Sequence, residues 1–411
     1  MSTSQPVTKV PKLRFPGFEG DWKRSALEDH ISLVSGYAFQ SDFFGEEGQR
    51  LITPKNFTKF GRASFTPDNT KKTTEDVAER FQCKAGDLVV LLTDLTPTCE
   101  LLGKPALLGN EDAPCLLNQR IAKVIFETRD LDSVFLSNLM LSEAYVRRIK
   151  DTATGTTVRH SSNKIVLSFE ASFPTLPEQQ KIAGFLTAVD GRIEQLSRKK
   201  ALLEAYKKGV MQQLFTQTLR FQDDHGHDFL DWEEKPLCEV VTINPKAREL
   251  PDSFTYIDLE SVDSGVLHSP KQINKADAPS RAQRLLQPQD ILYQTVRPYQ
   301  MNNLFFDLDG TYVASTGYAQ LRATKHNPRY IYYAMHVATF VNAVMDRCTG
   351  TSFPAINSKD LGDISIPIPS LPEQTKIASF LSALDGKIGA VGEQMRQTQA
   401  WKKGLLQQLF V

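Results

Sequence analysis

The chain has 411 residues, of which 41% are hydrophobic and 23% are charged, and its 48 basic side chains balance its 48 acidic ones. This composition is typical of a globular protein large enough for two or three domains, and it excludes the fibrous and disordered classes. A net charge of zero also excludes a uniformly basic nucleic-acid-binding surface, so any DNA contact must come from local patches or from a partner.

The sequence indicates neither export nor a membrane. The N-terminal segment MSTSQPVTKVPK has no apolar stretch of the signal-peptide kind, and no run of about eighteen apolar residues occurs. The five cysteines are odd in number and form no C-x-x-C pair, which argues against a disulfide framework and a thiolate zinc site. We therefore expect a cytoplasmic protein with reduced cysteines and no metal.

The first predicted domain covers residues 1–172. It opens with LRFPGFEGDW at Leu13 and continues as a mixed region from about residue 25. Apolar runs such as GDLVVLL, bounded by Pro- and Gly-rich turns, predict strands, and one helix is predicted near residues 134–149. We expect a compact α+β domain.

A long helix is predicted over residues 173–217. Thr175 and Glu178 match a capping box, in which the hydroxyl caps an amide of the first turn and the carboxylate reaches back to the helix start. Gly191 costs about 1 kcal/mol relative to Ala, so we expect that close approach of another helix requires it. Apolar residues recur at seven-residue intervals, as in a coiled-coil seam: Ile182, Val189, Leu196, Leu203 and Val210.

The second half of the chain repeats this plan. A second α+β domain is predicted over residues 218–367, with LRFQDDHGHDFLDW at its start, strands in runs such as QDILYQTV and a helix near residues 329–346. A second long helix is predicted over residues 368–411, where Ser370 and Glu373 match a capping box. Its seam consists of Ile377, Leu384, Val391 and Leu405, and Gly386 takes the place of Gly191.

The two long helices are copies of one another. Residues 176–215 and 371–410 align without a gap at an offset of 195, and 21 of the 40 positions are identical. Each helix would be about 60 Å long, and the nearest apolar stripe of that length is the other copy. We therefore predict an antiparallel coiled coil, with two separate core helices as the alternative.

The whole chain resembles the specificity subunit of a type I restriction-modification system. The resemblance rests on two variable domains alternating with two similar helices, on the LPEQ helix starts, on the KKGxxQQLF helix ends and on the LRF segments. It implies two target-recognition domains in a pseudo-two-fold, nearly circular organisation. Each domain would recognise one half of a bipartite DNA sequence, and the helices would act as a ruler for the spacer.

The resemblance also implies the partners. These are double-stranded DNA, two adenine-N6 methyltransferase subunits and, where the system restricts, motor-nuclease subunits. S-adenosylmethionine would belong to the methyltransferase, so we expect no cofactor, no metal and no catalytic residue in this chain.

Base recognition requires Arg, Lys, Asn or Gln side chains in the loops of the two domains. The first domain offers Lys55, Asn56, Lys59, Arg62, Asn118, Gln119 and Arg120. The second domain offers Arg281, Arg284, Gln294, Arg297, Tyr299, Gln300, Asn302 and Asn303. The helix lysines, such as Lys207 and Lys402, could attract spacer DNA, face a partner or be solvated.

Two other classes of function remain open. Asp223 with Glu233, Glu234 and Lys235 could form a metal-dependent nuclease site, and the coiled coil could serve a protein-interaction scaffold that binds no DNA. The scaffold hypothesis leaves the divergence of the two domains unexplained. No phosphate-binding Gly-x4-Gly-Lys-Ser/Thr loop occurs, and the sequence therefore favours a non-catalytic DNA-specificity subunit.

Overall fold

The computed structural model describes residues 10–96, 98–246 and 249–410. The N-terminal segment MSTSQPVTKVPK, from which we expect no signal peptide, therefore lies mostly outside the described residues. The chain forms two compact units, which we call the first unit (residues 1–197 with 393–411) and the second unit (residues 198–392). Each unit contains one α+β domain and parts of both long helices. None of the described helices has the length and apolar character that crossing a membrane requires.

In the first unit the strands are β1 (Lys23–Ala26), β2 (Ile31–Ser35), β3 (Phe44–Gly45), β4 (Gln49–Ile52), β5 (Lys71–Thr73), β6 (Gln82–Cys83), β7 (Leu88–Leu91), β8 (Thr93–Asp94), β9 (Pro105–Leu107), β10 (Cys115–Leu117), β11 (Ile121–Phe126), β12 (Arg159–His160) and β13 (Glu170–Phe173). The helices are α1 (Ser133–Leu139), α2 (Glu143–Asp151), α3 (Asn163–Leu167) and the long α4 (Leu176–Phe215), which continues into the second unit.

In the second unit the strands are β14 (Glu233–Pro236), β15 (Val241–Ile243), β16 (Ser253–Ile257), β17 (Val262–Asp263), β18 (Val266–Leu267), β19 (Lys271–Asn274), β20 (Ala282–Leu285), β21 (Ile291–Gln294), β22 (Leu304–Phe305), β23 (Tyr312–Ser315), β24 (Tyr318–Ala323) and β25 (Ser365–Ile368). The helices are α5 (Leu237–Val240), α6 (Pro328–Ala334), α7 (Ala338–Arg347), α8 (Ser358–Gly362) and the long α9 (Leu371–Leu409), whose last turns belong to the first unit.

The two domains share one sheet plan. The first has an antiparallel sheet in the order β2-β11-β7-β9 and the second has the same arrangement as β15-β24-β21-β22. A further sheet runs β3-β5-β4-β10-β6 in the first domain and β19-β16-β23-β20 in the second, with a parallel pair at its centre in both cases. The expected α+β fold is confirmed, and both domains have the strands predicted in GDLVVLL and QDILYQTV.

The prediction of one helix in each of these regions is wrong, because each region forms two shorter helices. In the first domain α1 ends at Leu139 and α2 begins after Ser142, whose hydroxyl accepts a hydrogen bond from the Tyr145 amide. This N-cap starts a new helix and breaks the apolar run that predicted one. In the second domain α6 and α7 are separated in the same way, with Val337 at the start of α7.

The long helices α4 and α9 run antiparallel within each unit. In the first unit Phe185 packs edge-on against Trp401 at 5.8 Å, and further along α4 Leu196 shares a surface groove with Gln394. In the second unit Lys200 borders Gly392 and Lys207 binds Asp385. The seam residues Ile182, Val189, Leu196, Val210, Ile377, Leu384, Val391 and Leu405 are buried, whereas Leu203 is only partly buried.

Most of these seam residues also belong to the domain cores. Ile182 and Val189 join the core of the first unit together with Leu405 of α9. Val210 and Ile377 join the core of the second unit. The helices are therefore anchored to their domains by the same apolar stripe that holds them together, and the heptad pattern did not distinguish these two contacts.

Ion pairs between α4 and α9 recur at equivalent positions. Asp190 accepts hydrogen bonds from Lys402 at 2.7 and 2.9 Å, and Asp385 accepts one from Lys207 at 2.6 Å. Because 190 and 385, and likewise 207 and 402, differ by 195, the two pairs are copies of one contact. Lys402 and Lys207 thus cross-link the helices within each unit, a role that differs from the three interpretations given for these lysines.

The LRF segment of each unit is fastened to the start of a long helix. Arg14 donates from two nitrogens to the buried carboxylate of Glu178, both at 2.8 Å. Arg220 donates to Glu373 in the same way, at 3.2 and 3.0 Å. These hydrogen bonds to carboxylates raise the pKa of both guanidinium groups above the ordinary value.

The predicted capping boxes are therefore wrong. The carboxylates of Glu178 and Glu373 bind arginines that lie more than 150 residues away instead of their own helix starts. In the second unit the Ser370 hydroxyl is buried without a hydrogen-bond partner. A guanidinium offers two parallel N–H donors to a carboxylate, so it outcompetes a single backbone amide.

The expected role of Gly191 and Gly386 is also wrong. A Cβ atom built at either position would meet no atom within 4 Å, and the same holds for the copied pair Gly209 and Gly404. The packing of α4 on α9 does not require any of these four glycines. Their recurrence in both helices needs a cause outside the contacts of this chain.

Candidate nucleic-acid interface

In the second unit the most distinctive loop covers residues 295–303, between β21 and β22. Two buried amide side chains shape it from inside. Gln294 donates to the Val296 carbonyl and to Gln300 Oε1 at 2.7 and 2.8 Å, and its own Oε1 accepts from the Asn302 amide. Asn303 Oδ1 accepts from the Gln294 amide at 2.8 Å. These bonds satisfy the loop's polar groups and fix its shape.

His336 extends this network beneath the loop. Its Nδ1–H donates to the Tyr332 carbonyl at 2.6 Å and its Nε2 accepts from Asn303 Nδ2 at 3.3 Å. Burial lowers the pKa of His336 to about 4, so the ring is neutral near pH 7 and serves as a fixed hydrogen-bonding group.

The exposed side of the same loop presents a cation and aromatic rings. Arg297 has a left-handed backbone (φ +54°), and its guanidinium lies 4.4 Å from the ring centre of Phe353. Phe353 and Tyr299 are 61% and 53% exposed. Arg297 is partly exposed, so its guanidinium can donate to a phosphate or to a guanine edge, and the exposed rings can stack on bases or contact thymine methyl groups.

The corresponding loop in the first unit covers residues 92–104, between β7 and β9. Its shape depends on the buried carboxylate of Asp94, which accepts from the amides of Thr96, Leu101 and Leu102. Leu95 is 46% exposed at its surface. Residue type alone does not point to this loop, because Lys104 is its only Arg, Lys, Asn or Gln. The available signal was its position after a buried strand, which matches the position of the loop of residues 295–303.

A glycine turn lies against the loop in both units. In the first unit β8 pairs with β12, and Thr154 bridges His160. In the second unit Ala355 bridges both Val296 and Thr349. Gly155 and its counterpart Gly350 both have φ +92°, and a Cβ at Gly155 would lie 2.1 Å from the Val158 carbonyl oxygen, so this turn requires glycine.

The first-unit candidates fall into two groups. Asn118, Gln119 and Arg120 form the turn between β10 and β11, beside the loop just defined, because the Leu92 amide donates to the Arg120 carbonyl. Gln119 is exposed, whereas Asn118 Oδ1 accepts from the Arg120 amide and so supports the turn.

The second group lies on the segment from Lys55 to Arg62. Lys55 and Arg62 are exposed. Lys59 is ion-paired with Glu100, and Asn56 is fully buried, with its carbonyl oxygen bound by Thr53 and its amide group donating to Ser64 and Asn69. Asn56 therefore shapes the segment from inside.

In the second unit Arg281 is exposed, and its carbonyl accepts a hydrogen bond from the Thr316 amide. The next residue, Gly317, accepts a hydrogen bond from the Thr295 amide at the start of the loop. Arg281 thus lies close to the start of the loop of residues 295–303. Arg284 is partly buried, burial lowers its pKa, and its Nε has no hydrogen-bond partner.

The residues proposed for a nuclease site do not come together as one. Asp223 accepts from the amides of His225 and His227 in a turn, whereas Glu233 pairs with Lys235 on β14. Within the described ranges no three His, Cys, Asp or Glu side chains are placed to hold a metal ion.

Comparison with known proteins gives consistent matches. The sequence profile of the family described as "Type I restriction modification DNA specificity domain" matches residues 19–205 and 230–395. The specificity subunit of the type I restriction enzyme MjaIX from Methanocaldococcus jannaschii is 22% identical over 93% of this chain and 89% of its own length. That of EcoBI from Escherichia coli is 19% identical over 95% and 84%.

Some relatives match over a shorter stretch. The MjaVIII specificity subunit of M. jannaschii is 28% identical over 49% of this chain, so the matched part spans about half of that relative (47%). Among solved structures, the S subunit of a type I restriction-modification system from M. genitalium has a TM-score of 0.63 at 17% identity, covering 98% of this chain and 99% of that one. This likeness concerns the fold.

Proposed function

Because the chain belongs to the family of type I restriction-modification DNA specificity domains, we propose that it is the DNA-specificity subunit of such a system. Each of its two domains recognises one half of a bipartite DNA target, and the chain directs adenine-N6 methylation by a partner without catalysing a reaction itself. One observation carries the proposal: the two units keep the same framework contacts, while the loops that follow β7 and β21 differ in sequence and in the groups that shape them.

The DNA-facing surface is proposed to consist of exposed members of the candidate set and of the partly exposed Arg120, Arg297 and Asn302. Lys59 is left out because it is paired with Glu100. Arginines and lysines position the phosphates or bind guanine, and amides bind adenine. The buried members, Asn56, Gln294 and Asn303, hold these loops in shape instead of contacting bases. The proposed contacts are Lys55, Arg62, Gln119, Arg120, Arg281, Arg297, Tyr299, Gln300 and Asn302, together with Phe353, whose exposed ring supports Arg297.

The long helices are proposed to set the unread spacer. The 40 residues of α4 give a rod of about 60 Å, longer than one turn of B-DNA at about 34 Å. Inserting four residues, about one helical turn, into both α4 and α9 is expected to change the spacer and leave both half-sites intact. An unchanged spacer would show that the helices do not set it.

A methyltransferase subunit is proposed to dock on one face of the helix pair in each unit. In the first unit this face includes Phe15, Phe185, Trp401 and Gly404, around a groove of about 460 Å³. The exposed Trp401 (52%) corresponds to the exposed Tyr206 (54%) of the second unit. Both helices keep an exposed aromatic residue and glycines with free space beside them, which fits two copies of the same partner. At each glycine the absence of a side chain would let the partner's backbone come close.

S-adenosylmethionine belongs to that partner, and motor-nuclease subunits join the complex where the system restricts. Since all of these act on chromosomal or incoming DNA, the proposed place of action is the cytoplasm.

The test is sequencing of methylated adenine in the native host, with the gene present and deleted. A bipartite motif that disappears on deletion, and returns with a plasmid copy, supports the proposal and gives both half-sites. An unchanged methylome, while the methyltransferase is expressed, contradicts it. Replacing residues 218–367 by the domain of a relative is expected to change one half-site only.

A further inference from the structure

A groove of about 620 Å³ lies in the first unit between the domain and the last turns of α9. Its walls are apolar, with Phe60, Val146 and Leu406 among them, and its rim carries Lys59, Lys104 and Lys403. Phe60 is 49% exposed. This face of α9 differs from the proposed methyltransferase face around Trp401 and Gly404. The groove adjoins the segment from Lys55 to Arg62 and the end of the loop of residues 92–104, but none of its lining residues is among the proposed DNA contacts.

The groove is lined by four lysines and by one carboxylate, that of Glu143, so its positive charges outnumber its negative ones. Lys59 pairs with Glu100, Lys402 pairs with Asp190, and Glu143 is shared by Arg147 and Gln407. In the part of the chain that the structure describes, Lys104 and Lys403 have no carboxylate within 4.0 Å. Burial and the neighbouring Lys150 and Lys59 lower the pKa of Lys104. Lysines gathered in this way repel one another until an anion neutralises them.

The second unit has a different surface at the corresponding place. Gly61 and Gly265 mark the same turn, because a Cβ at each would face Ser137 and Tyr332, which are 195 positions apart. Phe60 therefore corresponds to Ser264 and Lys59 to Asp263. Leu88 pairs with Leu107 as Ile291 pairs with Phe305, so Lys104 corresponds to Asn302. The apolar, basic character is thus a property of the first unit that the duplication does not explain.

We propose that this groove binds an acidic amphipathic segment of a protein subunit of the complex, at one copy per chain. Apolar walls rimmed by lysines fit a helix with apolar anchors and carboxylates beside them. DNA is the less suitable occupant, because its phosphates and sugars would bind the lysines but leave the aliphatic walls at Val146 and Leu406 without an apolar contact. The inference rests on the proposed function, because the complex supplies the occupant.

The test places the photo-crosslinking residue p-benzoylphenylalanine at position 60 and, as the matched control, at position 264. Each variant is assembled with the methyltransferase and motor-nuclease subunits and with target DNA, and adenine methylation is measured first. We expect position 60 to crosslink to a peptide rich in Asp, Glu and apolar residues. We expect no such crosslink from position 264. Crosslinks to DNA, or none in a complex that methylates, overturn the inference. A complex without methylation contradicts the proposed function instead.

Charge reversal gives a second readout. The crosslinked segment is synthesised with a fluorescent label, and its binding to the full chain is measured by anisotropy. The double variant Lys104→Glu/Lys403→Glu is expected to weaken binding at least tenfold, and weakening should increase at lower salt. Lys208→Glu, at the position equivalent to Lys403, is the control and is expected to leave binding unchanged. Equal effects of both variants overturn the inference.

Discussion

The contacts between helices and LRF segments are the same in both units, whereas the loops after β7 and β21 have nothing in common but their place. Arg14 with Glu178 and Arg220 with Glu373 repeat one ion pair. The loops instead depend on a carboxylate, Asp94, in one unit and on amide side chains in the other. The proposed function accounts for this difference: a framework that binds the same partner twice would stay fixed, while each loop could vary to suit its own half of the DNA target.

The largest expected effect concerns the framework ion pairs. Arg14→Ala or Arg220→Ala leaves a buried carboxylate unpaired, which costs about 3 to 5 kcal/mol. Urea denaturation followed by circular dichroism measures the loss. Arg24→Ala is the control, because its partner Glu170 is exposed and a surface pair contributes at most about 1 kcal/mol. A similar loss in all three variants would contradict the assigned role of the buried carboxylates.

The cross-helix pairs are expected to differ although they are copies. The Lys402 side chain is 6% exposed and that of Asp190 is 20% exposed, against 23% and 42% for Lys207 and Asp385. Removing Lys402 should cost about 2 kcal/mol, between the values for exposed and buried pairs, and removing Lys207 about 1 kcal/mol or less. Unfolding of Lys402→Ala and Lys207→Ala checks the order, and a larger loss for Lys207→Ala would reverse it.

Asn303→Ala tests whether a buried side chain affects DNA recognition through the shape of the loop of residues 295–303 and without contacting a base. The variant leaves the Gln294 backbone amide and the Nε2 atom of His336 without their partner, at a cost of about 1 to 2 kcal/mol. Methylome sequencing is expected to show weakened selectivity in one half-site only. Gln119→Ala, at an exposed amide of the first unit, should change stability by less than about 0.5 kcal/mol. Loss of both half-sites in Asn303→Ala would show that its effect is not local.

The last expected effect on stability is a small gain. Gly191→Ala and Gly386→Ala should each stabilise the isolated chain by about 1 kcal/mol, because both positions are helical and open. The same variants should weaken methyltransferase binding in titration calorimetry. Gly155→Ala is the contrasting control and should destabilise. Unchanged binding by both helix variants would remove the glycines from the docking face.

The sequence predicted the long helices well and their end contacts poorly. Seven-residue spacing from Ile182 to Val210 is a local pattern, so it identified a helix and its buried side. The Arg14–Glu178 pair joins residues 164 positions apart, and no local pattern shows it. The capping-box pattern was present but lost to a stronger donor that only tertiary structure brings near.

The candidate interface was predicted by residue type, which does not tell an inward side chain from an outward one. Gln294 and Asn303 have the chemistry of adenine recognition yet are 2% and 1% exposed. Gln294 ends the apolar strand ILYQ, and its place in a buried run was the available sign that it turns inward. Tyr299 is exposed and Arg297 is partly exposed, and their DNA contact stays a prediction.

The exchange of tryptophan for tyrosine at positions 401 and 206 makes the two helix faces optically distinct. Of the three tryptophans, Trp22 is buried and Trp232 is partly covered, so Trp401 is the one most open to a quencher such as iodide. Occupation of the face around Trp401 should protect its emission, whereas occupation of the face around Tyr206 should leave it unchanged. Fluorescence quenching can therefore report in which order the two proposed partner subunits bind.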